Sequence, residues 1–178
     1  MNLPPAYAWL MSLAPLPRML AEALACYGTV EAAGTANSPT ILGWAREVGG
    51  NVAEAYKADA IPWCGLFMAV VAQRAGKIVP SGPLWALNWS KFGEKAGQPE
   101  LCDVLTFVRP CGGHVAIYVG EDASAYHVLG GNQSDRVCFT RIAKARLHAV
   151  RRPTYNRKPA SVRPYILTGG GALSANEA

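Results

Sequence analysis

Ile61-Pro62-Trp63-Cys64-Gly65-Leu66-Phe67-Met68-Ala69-Val70-Val71-Ala72 is the stretch on which the fold turns. Pro62 and Trp63 end an irregular segment. A run of good helix formers, apolar at most positions, then begins at the cysteine. This predicts a central helix from about Cys64 to Ala75, with Gly76 as its terminator. A thiol in the first turn of a helix feels the positive end of the dipole and the unpaired N–H groups there. Both favour the thiolate, which is the nucleophilic form. The alternative is a buried core cysteine, because free cysteine is among the most buried residue types.

Before this helix the periodicity predicts two others. One runs from Arg18 to Ala25 and ends near Gly28; the next opens at Pro39 and is stopped by Gly49-Gly50. Residues 51–63 read as a connection. After Pro83, a short helix over 84–93 would carry Trp85 and Trp89 at i, i+4, a spacing that fits packing better than ligand binding. From Asp103 the period changes to that of strands: 104–108, 114–119, 125–129, 137–140 and 147–150. Helices followed by an antiparallel meander give an α+β class. The expected organisation is an apolar, Pro-punctuated arm over 1–16, a domain over 17–153, and a basic, Pro/Gly-rich flexible tail over 154–178.

Composition narrows the classes. With 51% hydrophobic residues in 178, the chain can bury one core of its own. A net charge of +5 suits an anionic partner or serves solubility alone. Aromatic and basic residues do not interleave as single-stranded nucleic acid binding requires, so no nucleic acid partner is expected. The five cysteines, an odd number without a C-x-x-C pair, read as reduced thiols made in a cytoplasm. The first residues lack a basic region, and prolines at 4, 5, 15 and 17 interrupt any apolar run. They make a poor signal peptide and no membrane span.

Acyl transfer needs a nucleophile, a base and a group that orients the base. Gly112-Gly113-His114-Val115-Ala116-Ile117 puts a histidine at the mouth of a strand, where Cys64 can meet it if the helix packs across the sheet. In Leu129-Gly130-Gly131-Asn132-Gln133-Ser134-Asp135, the end of the next strand lies beside the start of the histidine strand. Asn132 is the expected acceptor of the imidazole N–H; a plain turn residue is the alternative. Trp63, Asp59, Gln133 and Asp135 are candidates for lining the substrate, although Asp59 also reads as a solvated loop carboxylate and Gln133 and Asp135 as turn residues. His127 and His148 read as satisfied strand histidines. Cys102, Cys111 and His114 offer a weak metal alternative, because zinc sites usually show tighter paired cysteines. No metal or organic cofactor is expected.

Pro62-Trp63-Cys64-Gly65-Leu66-Phe67, Gly113-His114-Val115-Ala116-Ile117-Tyr118-Val119-Gly120, Leu129 to Asp135 and Arg151-Arg152-Pro153 stand in this order. With Tyr27 to Glu31 and Asn37 to Ile41, they resemble a phage and bacterial group of small cysteine peptidases. That group is close to the CHAP domains, the cysteine, histidine-dependent amidohydrolases/peptidases of papain-like fold. The resemblance spans about residues 18–153. It implies Cys64 as nucleophile, His114 as base, Asn132 as the orienting residue, and cleavage of peptidoglycan amide bonds. A phage endolysin, a virion-associated lysin or a secreted antibacterial effector, made without a signal peptide and acting at the cell wall, would fit. Phage tail or secretion-machine proteins would then be possible partners; a non-catalytic tail component that kept the fold is the rival. Two departures stand out. Gly130 occupies the place of a glutamate common in CHAP domains, and Cys102-Asp103 stands where the group has Gly-Asp.

Overall fold

Nothing after Gly65 interrupts the helix-forming run, and the central helix spans Cys64–Arg74. The computed structural model describes residues 2–110, 112–168 and 172–174. Gly76 (φ 69°) ends this helix: its N–H reaches Gln73 O at 2.9 Å, and Lys77 N–H reaches Ala72 O at 2.8 Å. That pair of bonds satisfies the last carbonyls, and the left-handed residue turns the chain away. Every residue from Cys64 to Ala72 is buried. A helix apolar all round must be covered all round. Here the cover is Arg18–Ala25 (α1) and Pro39–Val48 (α2) on one side and the sheet on the other. A further helix, Gly50–Ala55 (α3), follows Gly49 directly where a plain connection was expected; Cys64–Arg74 is therefore α4.

The sheet contains Glu94–Lys95 (β1), Val104–Arg109 (β2), Gly112–Glu121 (β3), Ala125–Gly130 (β4), Cys138–Ala143 (β5) and Leu147–Arg152 (β6). All pairs are antiparallel, in the order β1-β6-β2-β3-β4-β5, so the molecule is α+β. The expected meander is kept from β2 to β5. β6 crosses back to lie between β1 and β2. Alternation divides the central strands. Val104, Val115, Ile117, Val119 and Leu129 join the helix-side core, whereas Leu105, Phe107, Ala116, Tyr118 and Val128 join a second apolar cluster.

The two ends of the chain depart from expectation. The arm forms a 3₁₀ helix over Pro5–Ser12 whose Tyr7 and Leu10 are buried. Tyr7 stacks on Phe139 (ring centroids 4.1 Å apart), and Trp9 stacks on Tyr165 (4.5 Å). Residues 154–168 are not a loose tail but run back over the domain. Arg163 O accepts from Leu101 N–H at 3.0 Å, and Leu167 N–H donates to Glu121 O at 2.8 Å. Most of the expected tail beyond 168 lies outside the described residues. Apolar side chains at 3, 7, 10, 162 and 167 cover core surface that would otherwise meet water.

His127 is the polar centre of this clasp. Tyr7 O–H donates to its Nδ1 (2.8 Å), and its Nε2–H donates to Asp122 Oδ2 (2.9 Å). The same carboxylate takes Arg141 at 2.7 Å. Burial works to raise the Asp122 pKa. The Ser124 N–H, the Arg141 guanidinium, His127 and the Ser124 hydroxyl outweigh it and hold the carboxyl well below the ordinary range. A depressed carboxyl stabilises the fold above its unfolded pKa of about 3.9, and that contribution drains away as pH falls. Asp122→Asn is therefore expected to lower the melting temperature at pH 7. Below about pH 4 the gap to wild type should close, because the wild-type carboxylate then begins to lose its own contribution. A gap constant from pH 7 to pH 3 in thermal melts would contradict this account.

Candidate active site

Trp63 sets the start of α4. Its indole is fully buried and donates to Glu31 Oε2 at 3.0 Å. The first helical hydrogen bond runs from Phe67 N–H to Trp63 O (2.9 Å), and no side chain caps the helix. The amides of Cys64, Gly65 and Leu66 thus lie in the first turn, where the helix itself offers them no acceptor. Gly65 allows a close crossing. A Cβ there would stand 2.3 Å from Pro83 O and 2.7 Å from Leu84 O. The 83–84 backbone therefore passes directly over the helix start and forms one wall beside the thiol.

The helix that begins at Cys64 packs on β3, and the backbone N–H of Val115, the residue after His114, favours the thiolate form of the Cys64 sulfur. The nucleophile candidate and the histidine strand thus meet as the sequence anticipated. The expected thiolate does not follow from the helix start, however. Cys64 is 3% exposed, and burial pushes its thiol above the usual range. The Val115 N–H, the Arg109 guanidinium and the first-turn amides of Gly65 and Cys64 pull the other way without overcoming it.

Gln133, rather than Asn132, is the hydrogen-bond partner of the His114 ring. His114 Nε2 and Gln133 Oε1 are 3.0 Å apart and both residues are buried. The Gln133 amide nitrogen donates to Cys138 O, its backbone N–H to Arg136 O, and its carbonyl accepts from Cys138 Sγ. A carbonyl beside the amide nitrogen requires NH₂ there, so Oε1 must face the ring. The ring must then carry its hydrogen on Nε2 when neutral, which makes Nδ1 the basic nitrogen. Gly130 makes room for this amide: a Cβ at that position would lie 2.7 Å from Gln133 Oε1. Any side chain at position 130 would therefore crowd the glutamine.

Asn132 sits one residue away in the left-handed region (φ 56°), buried, with Oδ1 lacking a hydrogen-bond partner among the described residues. Ser134 (φ 52°) and Asp135 (φ 59°) share that conformation. Asp135 is exposed and acts through its carbonyl, which accepts from Glu31 N–H at 2.8 Å. Asp59 is buried and committed to structure. Its Oδ2 accepts from Ala32 N–H (2.9 Å) and Ser38 N–H (2.7 Å), and its own N–H donates to Asn37 Oδ1 (3.0 Å). Neither Trp63, Asp59, Gln133 nor Asp135 lines the cleft described below. Their common task is to join the sequence motifs. Gly28 N–H bonds Val137 O and Val137 N–H bonds Thr29 O, so the 28–31 segment holds the loop that carries Gln133. Cys102 has a positive φ (75°), a conformation that favours glycine.

Cys64 lies on a cleft of about 590 Å³. Its walls are α3, Ile61-Pro62, the 82–88 segment, and the turn end of the β2–β3 hairpin at Arg109, Gly112 and Gly113. Two lining residues were not expected there: Trp85, assigned to packing, and Arg109, given no role. Trp85 is 58% exposed on the cleft while Trp89 is fully buried. Arg109 is the only charged side chain among the described lining residues. Among the described residues, no group of three or more His, Cys, Asp or Glu could hold a metal ion. Cys111, part of the metal alternative, lies outside them. No described helix is long and apolar enough to cross a membrane. The chain matches no family model and no curated protein.

Proposed function

We propose that this chain is a papain-like, cysteine-dependent amidase or endopeptidase that hydrolyses amide bonds of peptidoglycan. The observation that carries the reading is the placement of Cys64 on a cleft, at the start of a helix packed on the strand that carries His114, while Gln133 fixes the histidine's tautomer. His114 Nδ1 takes the thiol proton as Cys64 Sγ attacks the amide carbonyl. The oxyanion forms beside the first-turn amides of α4, where N–H groups and the helix dipole favour negative charge. His114 then gives the proton to the leaving nitrogen, the C–N bond breaks and a thioester remains. Water attacks the thioester while His114 accepts its proton. The proton returns to the sulfur as the acid leaves. Because burial disfavours a standing thiolate, proton transfer accompanies attack instead of preceding it.

The choice of peptidoglycan rests on the ordered motifs shared with CHAP-like enzymes. A phage lysin, a virion-associated lysin and a secreted effector all place such an activity at the cell wall. Digestion of purified peptidoglycan, followed by mass spectrometry of the fragments, tests the reading. Sugars bearing free lactyl groups identify an amidase, and new termini inside the stem peptide an endopeptidase. An undigested wall beside cleavage of another amide would give the site a different substrate. No cleavage of any amide would make the chain a structural component that retains the fold.

A further inference from the structure

Arg109 is the last residue of β2 and pairs across the hairpin with Gly112. Its guanidinium borders the cleft that contains Cys64, a cleft otherwise lined by apolar side chains, glycines and two asparagines. The buried Nε has no hydrogen-bond partner among the described residues. Gly112 presents no side chain against it: a Cβ there would come no closer than 3.9 Å to Nε. A buried donor without an acceptor is costly, and a guanidinium's planar fork matches a carboxylate better than any neutral group.

We propose that Arg109 is a specificity residue that binds a free carboxylate of the substrate close to the scissile amide. The site would thereby select amides in carboxylate-bearing peptides over their neutral counterparts. This rests on the hydrolase reading for its substrate, but the binding step needs no turnover. Peptidoglycan stem peptides supply the chemistry, with small alkyl side chains for the apolar walls and unamidated carboxyl groups for the arginine. The charge of Arg109 also acts on the Cys64 sulfur, so its loss would slow chemistry on every substrate alike. Discrimination between substrates is thus the informative quantity.

The test uses Cys64→Ala protein, which cannot turn over, and N-acetyl-L-alanyl-γ-D-glutamyl-L-lysyl-D-alanine. The peptide is titrated calorimetrically as the free acid and with its carboxyl groups capped as carboxamides. Capping is expected to weaken binding about tenfold or more, the range of a charge-assisted hydrogen bond. In the Cys64→Ala/Arg109→Gln protein, both peptides should bind within about twofold of each other. Arg109→Lys should recover part of the preference, since it keeps the charge without the fork. Equal affinities in Cys64→Ala, discrimination that survives Arg109→Gln, or no binding of either peptide would overturn the proposal. Hydrolysis of peptidoglycan by wild type is scored separately. Discrimination without hydrolysis would sink the enzyme reading alone, and hydrolysis without discrimination the Arg109 role alone.

Discussion

Cys64→Ala is expected to abolish hydrolysis, lowering the rate by about a thousandfold or more, because no other atom in the cleft can form the acyl intermediate. The fold should survive. The substitution deletes one sulfur from a buried position, a loss of about 1–2 kcal/mol. Thermal melts and far-UV circular dichroism should therefore remain close to wild type while activity vanishes. Cys26→Ala and Cys102→Ala are the matched controls and should retain activity within several-fold. Alkylation adds a second signature. Since burial raises the Cys64 thiol above its ordinary value, inactivation by iodoacetamide should keep accelerating as pH rises beyond 9. A plateau already reached at pH 6 would mean a preformed thiolate and would contradict the dominance of burial. Full activity in Cys64→Ala would remove the nucleophile assignment itself.

Gln133→Ala is expected to lower kcat by roughly ten- to a thousandfold, about 1.4–4 kcal/mol of barrier at about 1.36 kcal/mol per decade. The variant leaves the His114 ring without the acceptor that selects its tautomer, and the need is greatest when imidazolium forms. KM should change by less than about threefold, because Gln133 does not line the cleft. A stability loss of about 1–3 kcal/mol accompanies it, since the buried ring N–H and Cys138 O lose their partners. The kcat effect is separated from this by working well below the melting temperature. Asn132→Gly is the discriminating control. It frees a residue at φ 56° whose side-chain oxygen has no hydrogen bond to lose, so activity should stay near wild type. A collapse in Asn132→Gly beside a healthy Gln133→Ala would return the orienting role to Asn132.

The exchange of one neighbour for another shows where residue patterns stop being informative. In a strand, side chains alternate between faces, so Val104, Leu105, Val115 and Ala116 could be allotted from spacing. Asn132, Ser134 and Asp135 all have positive φ, and alternation has no meaning across such a loop. A string of Gly-Gly-Asn-Gln therefore announces a sharp turn without revealing which amide reaches the histidine. The two tryptophans fail for a similar reason. The i, i+4 rule holds on an α-helix, but the segment is a 3₁₀ helix over Ala86–Lys91 and Trp85 precedes it in extended conformation. Trp89 turns inward and Trp85 remains on the cleft.

The helix at Cys64 was legible because its length, composition and terminating glycine agree. The strands from Val104 to Gly130 were legible because their apolar runs are bounded by turns. The clasp formed by residues 2–16 and 154–168 was not. Proline-rich segments carry no periodicity, and nothing in Tyr7 or Trp9 names His127, Phe139 or Tyr165 as partners. Arg109 was hidden too, since a basic residue beside a proline at a strand end reads as surface. Its meaning comes from the cleft, and the cleft is assembled from four separate stretches of chain.

The position of β6 governs how the molecule can be made. Its residues come later in the chain than every other strand of the sheet, yet it occupies an interior place, with β1 on one flank and β2 on the other. During synthesis, β2 to β5 can zip together from neighbouring hairpins, while the outer edge of β2 waits for residues 147–152. An unpaired edge of that kind invites pairing with a second nascent chain. Closing β6 against β1 and β2 brings together residues forty or more positions apart, a slow step for loop-closure reasons. Growth of the polypeptide past residue 152 thus marks the point at which the long β2 edge can be covered and the sheet completed.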